Sequence, residues 1–362
     1  MQTDIEFLKN LVAIPSETGN VPQCNHAVAA MREYLESRKI HCAVERLGDR
    51  EFLCAATSPG KVHDYLFNAH LDVVPAPPNL YKPRIEGGRL FARGSSDCKG
   101  AAVAIAQALV SLAGKANVCA VFSTDEETGG ATSAEAVRLG YDGRKLIGVI
   151  DSAPYKITYA HKGIIDLKLV AHGKSAHSSR HWQGENAIDR LIDGYGKLRA
   201  AWGKNAPAPG SPPPDTSDED IWFDTYSAVI VEGGTAHNKV PDDASLLVNI
   251  RYTVPGDEDR IEKFVRDTTG LEVMRENYCR PFVCDKDEPA FARLAEIMRR
   301  AWPGKGVDFI RMTGATDARH FGRSKAPIAV LGIDGGDCHT DAEWVGIDGI
   351  GEMADVLVEL CQ

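Results

Sequence analysis

Tyr65-Leu66-Phe67-Asn68-Ala69-His70-Leu71-Asp72 is an apolar run that ends in an imidazole and a carboxylate. In an extended backbone, residues two apart face the same side, so His70 and Asp72 are expected to point together into one cleft. A surface His-x-Asp is common, and this tripeptide is weak evidence by itself. Its meaning depends on the residues that accompany it along the chain.

Helical and strand patterns alternate on both sides of this run. The helical patterns lie at 5–14, 28–35, 100–112 and 133–139, and the strand patterns at 42–46, 52–56, 65–69, 118–123 and 146–150. Strands that alternate with helices predict an α/β fold with a mostly parallel central sheet. A chain of 362 residues exceeds the size at which one core usually keeps growing, so two domains are expected.

The pattern changes after residue 163. Residues 164–170 alternate apolar and polar side chains, as a sheet with one solvated face does. The order of elements from here is β-α-β-β-α-β, which predicts a ferredoxin-like α+β unit. Its other elements are helices at 185–202 and 260–268 and strands at 228–231, 246–252 and 271–274, with a loop rich in proline and acidic residues at 206–220.

The α/β pattern returns beyond residue 280. Helices are predicted at 290–301 and 350–360, and a strand at 328–331. We therefore predict a discontinuous first domain made of residues 1–162 and 272–362. Residues 163–271 form the second domain, which is inserted into the first.

Composition and charge argue against several classes of protein. The net charge of −10 argues against a nucleic-acid partner, which favours a basic face. No apolar run is long enough to span a membrane, and the start Met1-Gln2-Thr3-Asp4-Ile5-Glu6 lacks the features of a signal peptide, so we expect a cytoplasmic protein. The nine cysteines are scattered with no Cys-x-x-Cys pair, so a disulfide framework is not expected.

Three further acids lie where α/β folds bind ligands. Asp97 occupies a Gly/Ser-rich loop before the helical pattern at 100–112, where it is either a helix N-cap or a metal ligand. Glu126 and Glu127 follow the strand pattern at 118–123, and ligands bind at the carboxyl ends of strands in open α/β sheets. Adjacent acids point in different directions, so one can bind metal while the other faces substrate. The alternative for this pair is a solvated acidic turn.

Asp151 and His339 complete a set of candidate metal ligands. Asp151 ends the strand pattern at 146–150, and His339 lies in a loop near the end of the chain; an N-cap and a loop histidine are the alternatives. Two zinc ions bridged by one carboxylate need about four further protein ligands. The sequence supplies two histidines and two acids, with Asp97 as the bridge and Glu126 left as a base.

The residues resemble those of the M20 metallopeptidase family, which includes acetylornithine deacetylases, succinyl-diaminopimelate desuccinylases, aminoacylases, carboxypeptidases of the G2 type and several dipeptidases. The resemblance covers essentially the whole chain, and its motifs are specific in combination. They are Asn68-Ala-His-Leu-Asp72, Arg93-Gly-Ser-Ser-Asp-Cys-Lys-Gly100, Thr124-Asp-Glu-Glu-Thr-Gly-Gly130, Gly173-Lys-Ser-Ala-His177, Asn238-Lys-Val-Pro241 and Cys338-His-Thr-Asp-Ala-Glu343.

The resemblance implies a zinc-peptidase-like catalytic domain and two co-catalytic zinc ions per chain, for which Co²⁺ or Mn²⁺ are substitutes. One ion would be held by His70 and Asp151. The other would be held by Glu127 and His339, with Asp97 bridging the two.

The resemblance also assigns roles beside the metals. Asp72 would orient His70, and Glu126 would be the general base. The insert matches the lid, or dimerisation, domain of the family, which implies a homodimer. His177 matches a lid histidine that, in many members, reaches the active site of the partner subunit and stabilises the oxyanion.

Three further residues match substrate-binding positions of the family. Asn238 and Arg251 match positions that bind the α-carboxylate of the substrate in many members, and a guanidinium fork suits a carboxylate because two parallel N–H bonds fit two oxygens. Gly314 lies in Gly314-Ala-Thr-Asp317, which resembles the glycine-bearing substrate loop.

The expected reaction is metal-assisted hydrolysis of the amide bond of a small N-acyl amino acid, as in an acetylornithine deacetylase. Many deacylases of the family carry Glu where this chain has Asp151, whereas dipeptidases and aminopeptidases often carry Asp. An M20 dipeptidase, aminopeptidase or carboxypeptidase that cleaves small peptides is therefore the alternative. A non-enzymatic binding protein on the same fold is a further alternative, because fold alone does not give function.

Overall fold

The computed structural model describes residues 1–203, 206–211 and 222–362. Its α-helices are α1 (Ile5–Val12), α2 (Val21–Glu36), α3 (Gly100–Leu112), α4 (Ala131–Arg138), α5 (Ala187–Trp202), α6 (Glu258–Thr269), α7 (Pro289–Ala301) and α8 (Ile347–Cys361). Of the predicted loop at 206–220, residues 212–220 lie outside the described residues. No helix of the described residues is long and apolar enough to cross a membrane.

The strands alternate with these helices along much of the chain. They are β1 (His41–Leu47), β2 (Arg50–Ala56), β3 (Val62–His70), β4 (Arg84–Glu86), β5 (Arg89–Phe91), β6 (Val118–Ser123), β7 (Asp142–Ile150), β8 (Lys156–His161), β9 (Gly163–His172), β10 (Ala176–His177), β11 (Thr225–Gly233), β12 (Lys239–Val240), β13 (Asp243–Tyr252), β14 (Glu272–Cys279), β15 (Phe282–Val283), β16 (Asp308–Met312), β17 (Ile328–Leu331), β18 (Gly335–Gly336) and β19 (Trp344–Gly346).

The chain divides into two compact units. The first comprises Met1–Tyr159, Cys284–Ile310 and Thr316–Gln362, and the second comprises Ala160–Val283 and Arg311–Ala315. The predicted insert, 163–271, falls within the second unit, which extends further along the chain. One reason for the extension is that β14 pairs with β9 along most of its length, so a strand predicted to end near residue 274 belongs to the second sheet and continues to Cys279.

The first unit has the expected α/β character around a mixed sheet. Within this unit the strand order is β1-β2-β6-β3-β7-β17-β8, with β17 and β8 antiparallel. The four strands β6, β3, β7 and β17 pair in parallel, whereas β1-β2 and β2-β6 are antiparallel. Parallel pairing is therefore confined to the centre. Gly48 and Asp49 join β1 to β2 in a two-residue turn, and so short a connection allows only an antiparallel pair.

Helix α3 is buried on nearly all sides, and its composition explains why. Six of its thirteen residues are alanine or glycine, which let neighbouring elements approach closely. It packs against α8 and the central strand β3. Burial of a helix all round is typical of a protein core. The start of α3 at Gly100 therefore fixes the end of the loop that carries Asp97.

The second unit contains the predicted ferredoxin-like arrangement. Its sheet has the order β11-β13-β9-β14, and each neighbouring pair is antiparallel. Side chains of β9 and β13 alternate between buried and partly exposed positions, as expected for a sheet with one covered face. Helices α5 and α6 pack against each other, and α5 contacts β9 and β13.

Candidate metal centre

Three neighbouring parallel strands deliver candidate ligands to one edge of the first sheet. His70 is the last residue of β3, Glu126 and Glu127 follow β6, and Asp151 follows β7. The carboxyl ends of parallel strands meet at the same edge, where α/β proteins bind ligands. Nitrogen or oxygen atoms of His70, Asp97 and Glu127 lie within 4.8 Å of one another. Strand order, rather than sequence proximity, therefore brings these residues together.

Asp97 lies at the centre of this group. Its Oδ1 is 2.9 Å from His70 Nε2, and its Oδ2 is 3.0 Å from His339 Nε2. The same nitrogen of His339 is 3.3 Å from Glu127 Oε2. Each oxygen of Asp97 thus faces a different imidazole, which is the arrangement expected of a carboxylate shared by two cations.

The loop that carries Asp97 does not use this residue as a helix cap. Helix α3 begins at Gly100 after Lys99, without a side-chain hydrogen bond at its N-cap. Gly94 opens the loop at φ +76°, and a Cβ there would lie 2.5 Å from Val73 Cγ1, so only glycine fits. The sequence left two roles open for Asp97, helix N-cap and metal ligand. The structure shows no contact that supports the N-cap.

His339 reaches the group from the segment between β18 and β19. Its backbone is left-handed, with φ +65°, and so is that of Asp337, with φ +55°. Non-glycine residues adopt this conformation uncommonly, and such residues cluster at functional sites. The turn directs the imidazole at Asp97 although half of the side chain stays exposed.

Asp72 is fully buried between His70 and the acidic pair. The Nδ1 of His70 is 2.9 Å from the Asp72 carbonyl oxygen and 3.4 Å from its Oδ1. The carboxylate also accepts hydrogen bonds from the backbone N–H groups of Glu126, at 3.2 Å, and Glu127, at 3.3 Å. Asp72 therefore contacts the imidazole that it was predicted to orient. Its two hydrogen bonds also hold the backbone of the turn that carries the two acids.

Glu126 has a cationic neighbour that the sequence analysis missed. Arg319 Nη1 lies 3.9 Å from Glu126 Oε1, and both side chains are largely buried. Burial, then the charges of Asp151 and Asp317, raise the pKa of Glu126 well above its usual range, and Arg319 opposes them. No sequence spacing connects Arg319 to Glu126. Its position two residues after Asp317, at the end of a motif already singled out, was the only signal.

Asp317 is a buried acid that the sequence analysis did not assign to the site. Its Oδ2 accepts hydrogen bonds from Ser123 Oγ, at 2.7 Å, and Ser133 Oγ, at 2.6 Å. Its Oδ1 has no hydrogen-bond partner among the described residues. A Cβ at Gly130 would lie 1.9 Å from that oxygen, so glycine is required for the close approach.

The electrostatics of the group reflect an excess of buried acids. Hydrogen bonds from the two histidines outweigh burial and hold the pKa of Asp97 well below its usual range. The hydrogen bond to Asp97 raises the pKa of His339 to about 9. Burial, then the charge of Asp97, raises the pKa of Asp151 to about 7, and burial raises the pKa of Glu127. These shifts favour a protonated His339 and a partly protonated Asp151 near neutral pH.

The remaining predicted residues lie in the second unit. The short β10–β12 ladder pairs His177 with Lys239, and Ser178 N–H donates to the Asn238 carbonyl oxygen, so His177 and Asn238 lie close together. Arg251 lies on β13, where its Nε donates to Asn249 Oδ1 at 3.2 Å. Gly314 lies in the segment Arg311–Ala315 of the same unit.

Comparison with known proteins shows to which family this chain belongs. Residues 66–362 match the sequence profile of peptidase family M20/M25/M40. The chain belongs to this family. A curated relative, a probable succinyl-diaminopimelate desuccinylase of Staphylococcus aureus, is 26% identical over 91% of this chain and 89% of its own.

Two solved structures show the same fold as this M20 chain. A tripeptidase from Staphylococcus aureus has a TM-score of 0.81 at 20% identity, covering 99% of this chain and 96% of that chain. A dinuclear metal-binding M20 peptidase from Bacillus subtilis has a TM-score of 0.68 at 15% identity, covering 99% and 98%. As a member of the M20 family, the chain is a metallohydrolase that acts on amide bonds.

The residues of the M20 site fit a metal centre. Two imidazoles and several carboxylates supply nitrogen and oxygen donors of the kind that zinc binds. The Oε1 atom of Glu127 is buried without a hydrogen-bond partner among the described residues, and a buried carboxylate oxygen of this kind costs free energy unless it is paired. The thiol of Cys98 lies within 4.8 Å of His70 and Asp151 donor atoms, but it donates to the Ile150 carbonyl oxygen at 3.0 Å, and burial raises its pKa.

Proposed function

We propose that this M20 enzyme is a dinuclear amidohydrolase that cleaves the amide bond of a small N-acyl amino acid, as an acetylornithine deacetylase does. The observation that carries the proposal is the position of Asp97, whose two carboxylate oxygens face His70 Nε2 and His339 Nε2 separately. A carboxylate placed in this way suits two cations. A curated relative is a probable succinyl-diaminopimelate desuccinylase, and this likeness supports a deacylase activity for the chain.

We assign five residues to two zinc ions, with Co²⁺ or Mn²⁺ as substitutes. His70 and Asp151 hold one ion, Glu127 and His339 hold the other, and Asp97 bridges them. The distances among His70, Asp97, Glu127 and His339 support this division, as does the approach of His70 and Asp151 donor atoms to within 4.8 Å. When bound, the metals supply Lewis acidity for the scissile carbonyl and for the attacking water.

Glu126 is the proposed general base. It takes a proton from the attacking water and passes it to the leaving amine, a role for which a carboxyl needs a pKa near the working pH. Burial and nearby acids raise the pKa of Glu126 in that direction. Asp72 supports the step indirectly, because its carboxylate holds the Glu126 backbone N–H at 3.2 Å and its Oδ1 lies 3.4 Å from His70 Nδ1.

Four residues of the second unit have proposed roles toward the substrate. We assign oxyanion stabilisation to His177, binding of the substrate carboxylate to Asn238 and Arg251, and a place in the substrate-binding loop to Gly314. Contacts within the unit support ordered positions for two of them. Ser179 holds His177 Nδ1 at 2.8 Å, and Asn249 Oδ1 accepts from Arg251 Nε at 3.2 Å. An arginine side chain suits recognition of a carboxylate, because two of its N–H groups can bind the two oxygens.

A homodimer formed through the second unit is part of the proposal. Strand β11 lies at one edge of its sheet and carries three consecutive exposed apolar residues, Val229, Ile230 and Val231. An exposed, apolar edge strand is a template for pairing with another chain. A second copy of the chain, paired along β11, would cover these side chains and extend the sheet.

A cytoplasmic location also belongs to the proposal. All nine cysteines are free thiols in the structure, including the exposed Cys338. Disulfides are rare in proteins of the reducing cytosol and common in secreted ones. The cysteine inventory therefore supports the cytoplasm.

A second candidate function is hydrolysis of small peptides by an M20 dipeptidase, aminopeptidase or carboxypeptidase. Asp151 favours it, because dipeptidases and aminopeptidases often carry Asp where deacylases carry Glu. The two functions share the metal site and the base, and they differ in what the rest of the substrate must fit. A non-enzymatic binding protein would bind such molecules without turnover.

Hydrolysis assays decide among these functions. The protein, supplied with zinc or cobalt, is incubated with N-acetyl amino acids, N-succinyl-diaminopimelate and dipeptides, and Glu126→Ala serves as the inactive control. A kcat/KM that is highest for an N-acyl amino acid is expected. Preference for dipeptides supports the second candidate, and binding without hydrolysis of any compound contradicts both.

A further inference from the structure

Glu343 is a buried carboxylate that neither the proposed metal site nor the proposed base includes. Its side chain is 2% exposed, and its ion-pair partner Arg93 is 3% exposed. Glu343 Oε2 accepts from Arg93 Nη1 at 2.6 Å and from the Gly94 N–H at 3.0 Å. Its Oε1 accepts from the N–H groups of Ser96, at 3.0 Å, and Asp97, at 3.1 Å.

The donor set requires an ionised carboxylate at this position. Each oxygen accepts two hydrogen bonds, and every one of the four donors lies in the short segment from Arg93 to Asp97. A glutamine side chain has one acceptor oxygen and one donor NH₂ group, so its NH₂ would face two donors instead of accepting from them. Charge-assisted hydrogen bonds are roughly twice as strong as neutral ones, so the four contacts hold this loop firmly.

The same carboxylate joins two separate ligand-bearing segments. Glu343 lies four residues after His339, and it holds the backbone of Asp97, while His339 Nε2 contacts the Asp97 side chain at 3.0 Å. A Cβ at Gly335, at the start of the His339 segment, would lie 2.3 Å from Ser96 Oγ, so the two segments already approach as closely as glycine allows. Glu343 therefore fixes how far His339 lies from the bridging Asp97.

We propose that Glu343 is a positioning residue that couples the Asp97 loop to the His339 segment and so sets the affinity of the metal held by Glu127 and His339. The inference rests on the proposed dinuclear site. His70 ends β3 and Asp151 follows β7, two strands that pair with each other, so Glu343 reaches the metal of His70 and Asp151 only through the shared Asp97. Loss of Glu343 should therefore weaken the metal of Glu127 and His339 more than the other metal, because both Asp97 and His339 lose their support there.

The test compares metal titrations of apo wild-type protein and apo Glu343→Gln by calorimetry with Zn²⁺. Wild type is expected to bind two ions. The variant is expected to bind the metal of Glu127 and His339 ~10–100-fold more weakly, which is the usual effect of losing a residue that orients a ligand, and to bind the other metal more weakly by a smaller factor.

A matched control separates positioning from general stability. Glu258 is also buried and pairs with Arg280 at 2.9 Å, in the second unit. Glu258→Gln is expected to lower the thermal midpoint while both metals bind as in wild type. If Glu343→Gln fails to fold, Arg93→Met, which removes one of the four donors, replaces it and is expected to weaken the same metal by a smaller factor.

The outcomes separate this inference from the proposed function. Two metals of wild-type affinity in Glu343→Gln, or in Arg93→Met where that variant replaces it, overturn the role of Glu343 alone. Equal weakening of both metals also overturns it, because the coupling should act through Asp97 and His339 at one metal and through Asp97 alone at the other. Wild-type protein that binds no metal overturns the dinuclear proposal, and the inference with it.

Discussion

Arg319 Nη1 lies 3.9 Å from Glu126 Oε1, with the guanidinium and the carboxylate both largely withdrawn from solvent. A cation this close favours the ionised carboxylate, and it opposes the burial and the neighbouring acids that raise the pKa of Glu126. Since a general base must be ionised before it can accept a proton, Arg319 favours the form of Glu126 that the proposed mechanism requires.

Replacement of Arg319 by Met is expected to shift the pH profile of the enzyme. Without the cation, the pKa of Glu126 rises, so the base is protonated at higher pH and the acid limb of kcat moves upward in pH. Arg319→Lys should retain most of the wild-type profile because it keeps the charge. The measurement is kcat against pH for the three proteins at equal metal content. An acid limb that stays in place in Arg319→Met contradicts the assignment.

Glu126→Gln is expected to separate chemistry from metal binding. The side chain keeps its size but cannot take a proton, and loss of a general base typically lowers the rate by ~10²–10⁴-fold. The metal content per chain, measured by elemental mass spectrometry, should stay at the wild-type value. Loss of one metal together with activity would reassign Glu126 as a ligand.

Metal binding is expected to release protons and to strengthen as pH rises. In the metal-free protein the pKa of His339 is raised to about 9 and that of Asp151 to about 7, so at neutral pH a metal must displace a proton from His339 and, in part, from Asp151. Affinity should therefore fall as pH decreases below about 9, with a steeper fall below about 7. Calorimetry in buffers of different ionisation enthalpy counts the protons, and a count near zero at neutral pH is the contrary result.

Val231→Lys is expected to prevent dimer formation through β11. Val231 is 71% exposed on an edge strand, and a lysine there opposes pairing with a second copy. The mass in solution, measured by light scattering, should fall from two chains to one. Val62→Lys is the matched control, since Val62 is 50% exposed in the first unit and should leave the mass unchanged. A wild-type protein that is already monomeric contradicts the proposed dimer.

The sequence predicted those parts of the fold that depend on local pattern. The bounds of α3 and β6 agree with the predicted segments 100–112 and 118–123, because both are largely apolar and are followed by turn or polar residues. The antiparallel pairing of β2 with β6 was missed. Pairing direction depends on which strands become neighbours, and periodicity carries no information about that.

Strand ends and family motifs predicted the candidate metal ligands of the site. His70 ends one of three neighbouring parallel strands and Glu127 and Asp151 follow the other two, so the topology brings them together once the sheet forms. Arg319 and Glu343 were not assigned roles, since their contacts join segments far apart in the chain. Their chemistry depends on geometry, namely one guanidinium beside a base and one carboxylate with four donors, and spacing along the sequence does not encode it.

Metal reconstitution tests the dinuclear hydrolase itself. The protein is stripped with a chelator, zinc is added back in steps, and bound metal and hydrolysis of an N-acetyl amino acid are measured on the same samples. We expect no turnover in the stripped protein and activity that rises until two zinc ions are bound per chain, as the proposed ligand set of His70, Asp97, Glu127, Asp151 and His339 requires. Full activity in the stripped protein, or no zinc bound at neutral pH, would contradict it.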